Sequence, residues 1–565
     1  MLSQYSWRRT RLTHRTSFRE HPPFAESIEA LHARNAEKLF NLLHTNGGLY
    51  LKIGQAIAMQ SAVLPPQFQK MFSRMFDDAP QNSWADVVKV IQEDFGKTPE
   101  ELFGVSFTGE PGKGMMERVA KASASVAQVH WARLPDGREV AIKIQKREIA
   151  QQVGWDLWSF KVVSWVYTWY FDIPMYSLVP YITERLMLET DFQNEADNAE
   201  RMEKLVKGEP RLRDRVYIPK VYRELSSKRV MTAEWIEGVR LWDKAKITAK
   251  WQGGWRKGSP GACGSRLELP RNSPAANISS NHTIGEQLKP HRDEWEGKNH
   301  KGGLGLPLRE VMQTMVDLFS AQMFLFGVVH CDPHPGNIFI RRTPAGRTEL
   351  VLLDHGLYVY MDPDFRHKYA LLWKSLMTFD NKTIKEVVTS WGVGNPDLFA
   401  SATLLRPYSG GDKSVSESIR KGLEGKTESE RAYEMQQKMR AGMKQMLLDQ
   451  EKFPRELLFI GRNLRIVQGN NQYMGSPVNR IKLTGMWASR ALTESPDLSF
   501  GERIKYFGGH LVFRTVLFSS DLYFWYTKVR QWLGIGGGME DEIEAQMRNM
   551  AKGFGVELQH DVFQG

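Results

Sequence analysis

The chain has 565 residues, of which 41% are hydrophobic and 11% aromatic. That composition excludes a wholly disordered or low-complexity protein, and the length fits roughly three to four domain equivalents or one two-lobed enzyme with extensions. Its two cysteines, Cys263 and Cys331, exclude a disulfide scaffold and a multi-cysteine zinc site and fit a reducing compartment. The net charge of +11 favours anionic partners such as nucleotide or phospholipid headgroups, whereas no RNP-like aromatic motif, zinc finger or basic recognition helix points to nucleic acid.

In chain order, residues 1–25 carry Arg8, Arg9, Arg11, Arg15 and Arg19 with no acid before Glu20, the composition of a mitochondrial presequence or of a short basic tail. Over 26–114 a helical extension is expected. Ile28, Leu31, Leu39, Leu42 and Leu43 fall near helical spacing, Gly47-Gly48 interrupts, and Leu49–Ala62 resumes before Pro65-Pro66. The run from Val129 through the turn Pro135-Asp136-Gly137 to Ile144 reads as a β-hairpin.

Val162–Phe171 is about ten residues, well short of the ~18–20 needed to cross a bilayer, and is expected as a buried aromatic-rich helix, with membrane-surface contact as the second reading. A helix is expected over 182–206 and a strand over Lys228–Trp235. Residues 251–303 are rich in glycine, proline, serine and asparagine without apolar periodicity, the pattern of an unstructured insertion that loops out. Helices follow at Leu308–Phe326, 364–395, 415–450 and 454–470. A C-terminal helical extension over 501–565 contains Leu511–Tyr526, an apolar stretch that Arg514 and Asp521 disqualify as a membrane span.

Four segments fit the holding of a nucleoside triphosphate with metal. Lys143 stands on the second strand of the hairpin, where a strand-borne ammonium can meet α/β-phosphate oxygens. Asp191 and Glu195 share one helical face at i,i+4, with Glu189 turned away. His330-Cys331-Asp332-Pro333-His334-Pro335-Gly336-Asn337 places Asp332 and Asn337 at the offset of the kinase catalytic loop H-R-D-x-x-x-x-N. The apolar run Val351-Leu352-Leu353 then delivers Asp354 onto Gly356, where a carboxylate can chelate magnesium with Asn337 holding a second ion. A zinc site built on His330, Asp332 and His334 is the rival reading. It lacks further ligands at suitable spacing.

With Lys52-Ile53-Gly54-Gln55 and the alanine-rich stretch Ala122–His130, these four segments, the second of which reads E-x-D over Glu189-Thr190-Asp191, make six ordered motifs. The chain thereby resembles the UbiB family of atypical protein-kinase-like proteins, also called aarF-domain-containing kinases, and its mitochondrial eukaryotic branches above all. The resemblance covers roughly residues 30–245 and 305–400. It implies an α+β, two-lobed protein-kinase-like fold: the K-x-G-Q extension, an N-lobe over 115–236, and an α-rich C-lobe over 237–500 that contains the insertion.

It further implies ATP and Mg2+ as cofactors. Lys143 would contact the α/β-phosphates, with either Glu189 or Glu195 as its partner. Ala122, Ser123, Ala124, Ser125, Val126 and Ala127 would cradle phosphate where ordinary kinases use glycines, and backbone groups at Glu234–Ile236 would take the adenine edge. Asp332 would orient or deprotonate the nucleophile, and Asn337 and Asp354 would bind magnesium. Lys52, Gly54, Gln55 and Asp191 would be regulatory: the K-x-G-Q helix lies across the cleft, Lys52 meets an acid of the E-x-D region, and protein phosphorylation is hindered.

The implied activity is ATP hydrolysis or phosphorylation of a small lipid or isoprenoid-like molecule at the mitochondrial inner membrane, in coenzyme Q or phospholipid homeostasis. A nucleotide-switched lipid-binding module or pseudokinase scaffold is the alternative. Ser123 departs from the family's alanine, and Cys331 and His355 depart from ordinary kinases.

Overall fold

Val140, Ile142 and Ile144 alternate with Ala141, Lys143 and Gln145 along one strand, so a single segment lays three aliphatic side chains into a core and turns a lysine to the opposite face. The computed structural model in which this is seen describes residues 28–48, 50, 71, 81–108, 110–171, 175–270, 287–393, 396–406, 408, 453–494 and 500–553. Strands β1 (Met115–Met116), β2 (Ala122–Ser123), β3 (Ala127–Arg133) and β4 (Glu139–Gln145) form an antiparallel sheet. β5 (Val216–Tyr217) joins a second sheet, and β6 (Val230–Glu234) returns to pair with β4. The β3–β4 hairpin turns on Gly137 at φ 81°, with Arg133 opposite Glu139, as the Asp-Gly turn requires.

Helix α1 (Ile28–Asn46) ends at Gly47 and Gly48, both at positive φ. Helix α2 (Trp84–Phe95) is capped by Ser83 and closed by Gly96 at φ 67°. Its Val87, Val90 and Ile91 share one buried cluster with Val140, Ile142, Ile144 and Val230. The expected division at 114 therefore does not separate two cores: residues from 81 onward belong to the lobe built on β1–β4 and β6.

Helices α3 (Arg147–Phe171), α4 (Val179–Glu189) and α5 (Phe192–Gly208) follow. The single helix expected over 182–206 is two, broken at Thr190-Asp191. Asp191 is the N-cap of α5, its carboxylate accepting from the Gln193 amide at 3.0 Å, so it does not share a helix face with Glu195.

In the second lobe, β5 pairs with β10 (Thr348–Leu352), β10 with β9 (Ile338–Arg342), and β9 with β7 (Val239–Arg240), while β8 (Val328–His330) pairs with β11 (Tyr358–Tyr360). Around them pack α6 (Leu308–Ala321), α7 (Pro363–Thr378), α8 (Asn381–Ser390), α9 (Pro396–Leu404), α10 (Glu456–Tyr473), α11 (Arg480–Glu494), α12 (Phe500–Trp532) and α13 (Met539–Gly553). α6 is buried nearly all round, with Val311, Met312, Met315 and Phe319 inside one large core cluster. A π-turn over Gln322–Phe326 continues it to Gly327, at φ 66°, and leads the chain into β8. The helix expected over 415–450 lies outside the described residues.

Two expectations change. Val162–Phe171 was expected to be a buried aromatic-rich helix, yet its Trp165 and Trp169, like Trp155 and Trp158 earlier in α3, are exposed, between 57 and 73%. Their spacing puts them along one face, and helical periodicity identifies a face without saying which way it points. The segment 251–303 is folded at both ends and bridges the lobes. Trp251 stacks on Trp295 with ring centroids 6.0 Å apart, and Ser259 donates its amide to Arg342 O at 2.7 Å.

On the first-lobe side, the amides of Leu288 and Lys289 donate to Glu117 Oε1 at 2.9 and 2.6 Å. Arg292 pairs with Glu139 and with Glu237, the latter at 3.2 Å. Distant partners fix this segment rather than any local period, which is why composition misread it. A cavity of about 230 Å³ lies beneath it, lined by Glu237, Arg240, Trp242, Lys246, Arg292 and Trp295, and Trp242 also packs edge-on against His334, with ring centroids 6.4 Å apart. Among the described residues no helix is long and apolar enough to cross a membrane.

Candidate nucleotide and metal site

Three pieces of backbone bring the predicted groups together. The first is the β4–α5 pair. α5 buries Phe192, Glu195, Ala196, Ala199 and Met202 on one face, which carries Glu195 to 1% exposure beneath β4. Lys143 Nζ donates to both Glu195 oxygens at 2.7 Å and lies over the Phe192 ring. Glu195, not Glu189, is thus the partner of Lys143; Glu189 closes α4, on the far side of the break. Burial pushes the Glu195 carboxyl above its ordinary range, Lys143 opposes that, and the nearby charge of Asp354 adds to it.

The second piece is the β9–β10 hairpin. Ile338 pairs with Leu352, so the residues flanking the hairpin, Asn337 and Leu353–Asp354, are held side by side, and Leu353 N donates to Asn337 O at 2.9 Å. Asn337 Nδ2 reaches Asp354 Oδ2 at 3.3 Å, and Gly356 N holds Asp354 Oδ1 at 2.9 Å. A Cβ on Gly356 would sit 3.3 Å from Asp354 Oδ1, so glycine relieves a tight contact at the corner where the Asp354 and Glu195 carboxylates approach one another.

The third is the catalytic loop after β8. His330 is fully buried; its Nδ1 accepts from the Asp332 amide at 2.9 Å and its Nε2 donates to Asp354 O at 2.8 Å. Burial holds its pKa down and the ring neutral. With both ring nitrogens committed to backbone groups, His330 cannot ligate zinc. No cluster of three or more His, Cys, Asp or Glu suited to a metal occurs among the described residues. An amide oxygen and a carboxylate are hard donors, and they fit magnesium that takes its other ligands from phosphate and water. Asn337 and Asp354 would hold such an ion, which would supply charge neutralisation at the β- and γ-phosphates.

His355 replaces the phenylalanine of ordinary kinases and is tied on three sides. Nδ1 accepts from Tyr358 OH at 3.0 Å, Nε2 donates to Leu352 O at 3.1 Å, and its carbonyl accepts from Asn198 Nδ2 at 3.0 Å. Burial, with His330 alongside, pushes its pKa down to about 3.

The alanine-rich stretch splits as Ala122 and Ser123 on β2, a turn at Ala124, Ser125 and Val126, and Ala127 opening β3. Lys146, unremarked in the sequence, pins it: its amide donates to Val126 O at 3.0 Å and its ammonium to Ala124 O at 2.6 Å. Such a loop is stiffer than a glycine-rich one. At the lobe junction the Glu234 and Trp235 amides are spent on Lys220 O and Glu139 O, and the Glu234 carboxylate accepts from Tyr217 OH at 2.6 Å. Ile236 follows, buried to 7% exposure, and its amide meets no described backbone acceptor. Lys52, Gly54 and Gln55 lie outside the described residues.

Sequence reasoning expected a helix over 454–470 and missed only what that helix, α10, brings to the catalytic loop. Asn463 Nδ2 donates to His330 O at 2.7 Å, Arg462 pairs with Asp332 at 3.2 Å, and Asn470 Nδ2 reaches Pro333 O at 3.5 Å. No local motif marks these residues; only an apolar helical period was visible there.

The profile of the ABC1 atypical kinase-like domain matches residues 74–388, more than half of the chain. The chain is 44% identical to the ABC1 family protein lscO of Purpureocillium lilacinum over 530 residues, covering 92% of this chain and 81% of that one. It is 36% identical to the ABC1 family protein C10F6.14c of Schizosaccharomyces pombe, over 85% of this chain and 77% of the relative. It is also 30% identical to AarF domain-containing protein kinase 1 of Xenopus tropicalis, over 82% and 75%. The chain belongs to the ABC1 family of atypical kinase-like proteins, the UbiB or aarF-domain group, with the two-lobed α+β architecture and kinase-type chemistry at the coarse level that its motifs led one to expect.

Proposed function

We propose that this protein binds Mg-ATP between its lobes and acts as an ATPase or as a kinase of a small lipid or isoprenoid-like acceptor. We place it at the mitochondrial inner membrane, in coenzyme Q or phospholipid homeostasis. The observation that carries the reading is the convergence of Lys143–Glu195 with Asn337–Asp354 at Gly356: a fixed cation for phosphate beside oxygen donors for a metal. Lys143 and its buried acid position phosphate oxygens, and Asp332 orients a water or hydroxyl oxygen.

The test is a thermal-shift titration with ATP or ADP, with and without magnesium, on wild type and Asp354→Asn. At a hundredfold excess over Kd a bound nucleotide stabilises by about 2.7 kcal/mol. A shift that needs magnesium and is absent in Asp354→Asn is expected. A shift that Asp354→Asn retains would remove the metal assignment, and no shift with any nucleotide would leave a pseudokinase scaffold.

Contact with a membrane surface is part of the proposal and rests on the tryptophan face of α3 together with the basic net charge. Wild type is expected to float with anionic liposomes and Trp158→Ala/Trp165→Ala to stay in solution. Equal flotation of the two would take that face out of the contact.

A further inference from the structure

A kinase catalytic loop normally carries its own cation, the arginine of H-R-D, and this chain has Cys331 at that position. Cys331 is fully buried, its thiol donating toward Val329 O, and it brings no charge to the loop. Lys143 is bound by both oxygens of Glu195. The guanidinium that touches the loop comes instead from α10, well over a hundred residues downstream: Arg462 Nη2 lies 3.2 Å from Asp332 Oδ1.

Three features make this a built contact rather than a passing surface pair. Asn463 is completely buried and holds the His330 carbonyl, and Asn470, two helical turns on, reaches the Pro333 carbonyl, so α10 grips the loop on both sides of Asp332. Arg462 Nε is buried with no hydrogen-bond partner, so the guanidinium is seated in the protein and is not a freely solvated tip. Side-chain exposures of 28% for Arg462 and 30% for Asp332 leave the pair partly open to solvent.

We infer that Arg462 is the positioning residue of the catalytic loop, fixing the Asp332 carboxylate so that one oxygen stays with the guanidinium and the other faces the attacking hydroxyl or water. This deepens the Mg-ATP reading above and rests on it. In the step it serves, the acceptor oxygen bonds to the γ-phosphorus as the bond from that phosphorus to the β-phosphate oxygen breaks. The electron pair leaves with ADP, and the acceptor's proton passes to Asp332. An arginine that holds Asp332 without touching nucleotide acts on turnover and not on binding.

Magnesium-dependent ATP hydrolysis, with ADP binding followed by thermal shift, is measured for wild type, Arg462→Ala, Arg462→Lys, Asp332→Asn and Arg462→Ala/Asp332→Asn. Arg462→Ala is expected to lower kcat by roughly 10²-fold, the cost of a misplaced reacting group, with ADP affinity within about twofold of wild type. Arg462→Lys is expected to recover part of the loss, and the double variant to be no slower than Asp332→Asn alone. Wild-type kcat in Arg462→Ala, or additive losses in the double variant, would overturn the inference, as would parallel loss of ADP binding and turnover.

If wild type itself fails to hydrolyse ATP, the ATPase form of the functional reading falls separately. The Arg462–Asp332 hold is then read from a double-mutant cycle on urea unfolding. A coupling of about twofold or more in the unfolding constant supports it, and none overturns it.

Discussion

Arg292→Ala is expected to cost about 3–5 kcal/mol of stability, the usual penalty for stranding one partner of a buried ion pair. Glu139 sits at 1% side-chain exposure on β4, and its neighbours are the Arg292 guanidinium and the Trp131 indole N–H at 3.1 Å. The same guanidinium holds Glu237 at 3.2 Å and donates from Nε to the Glu268 carbonyl at 2.9 Å, so its loss releases the bridging segment from both β4 and the lobe junction. The check is the urea midpoint of the variant. Arg292→Ala/Glu139→Leu serves as control, since removing both charges leaves no carboxylate stranded and is expected to restore most of the loss. A single-variant deficit under about 1 kcal/mol, typical of surface positions, would mean that 287–303 does not pack on the first lobe.

Lys143→Met is expected to be comparably severe, about 3–5 kcal/mol at neutral pH, and its cost should depend on acidity. The sign follows from Glu195. Burial raises its pKa in the folded state above the unfolded value, so the folded protein is favoured below the unfolded value and loses that advantage as pH rises through the folded one. With Lys143 gone the countering charge is absent, so the deficit should be larger at pH 8 than at pH 5. Lys143→Met/Glu195→Leu should recover stability at pH 8 without recovering nucleotide binding. A deficit that is flat with pH and unrelieved in the double variant would show that the loss is one of packing, not of an unpaired carboxylate.

Local signals were enough for the β3–β4 hairpin and for the catalytic loop. A period-two run around Asp136-Gly137 admits few alternatives, and the sheet adopts it. Asn337 and Asp354 could be paired from spacing alone because the chain between them is one hairpin. What was illegible is what depends on distance through space. A helical wheel puts Asp191 with Glu195 and turns Glu189 away, but it gave no sign that a break at Asp191 sets Glu189 and Glu195 on two helices, only one of which carries its acid to Lys143. The tryptophans of α3 announce a face but not its direction. The described ends of 251–303 are held by Arg292 and by the Trp251–Trp295 stack, whose partners no local window contains. Arg462 lies 130 residues beyond Asp332 and carries no motif, although the unusual cysteine at the H-R-D arginine position was a signal that a substitute cation might come from elsewhere.

The wedge formed by His355 bears on inhibitor selectivity. In ordinary kinases the packing of the D-F-G phenylalanine sets the active or the inactive form. Here the equivalent ring is fastened at both nitrogens and its own carbonyl is clasped by Asn198, so displacing it would break three hydrogen bonds among buried groups. Compounds that need this ring displaced would have to break those hydrogen bonds to bind, whereas ligands that leave it in place would meet no such barrier. A kinase-inhibitor panel sorted by binding mode would therefore separate this protein from ordinary kinases by pharmacology alone.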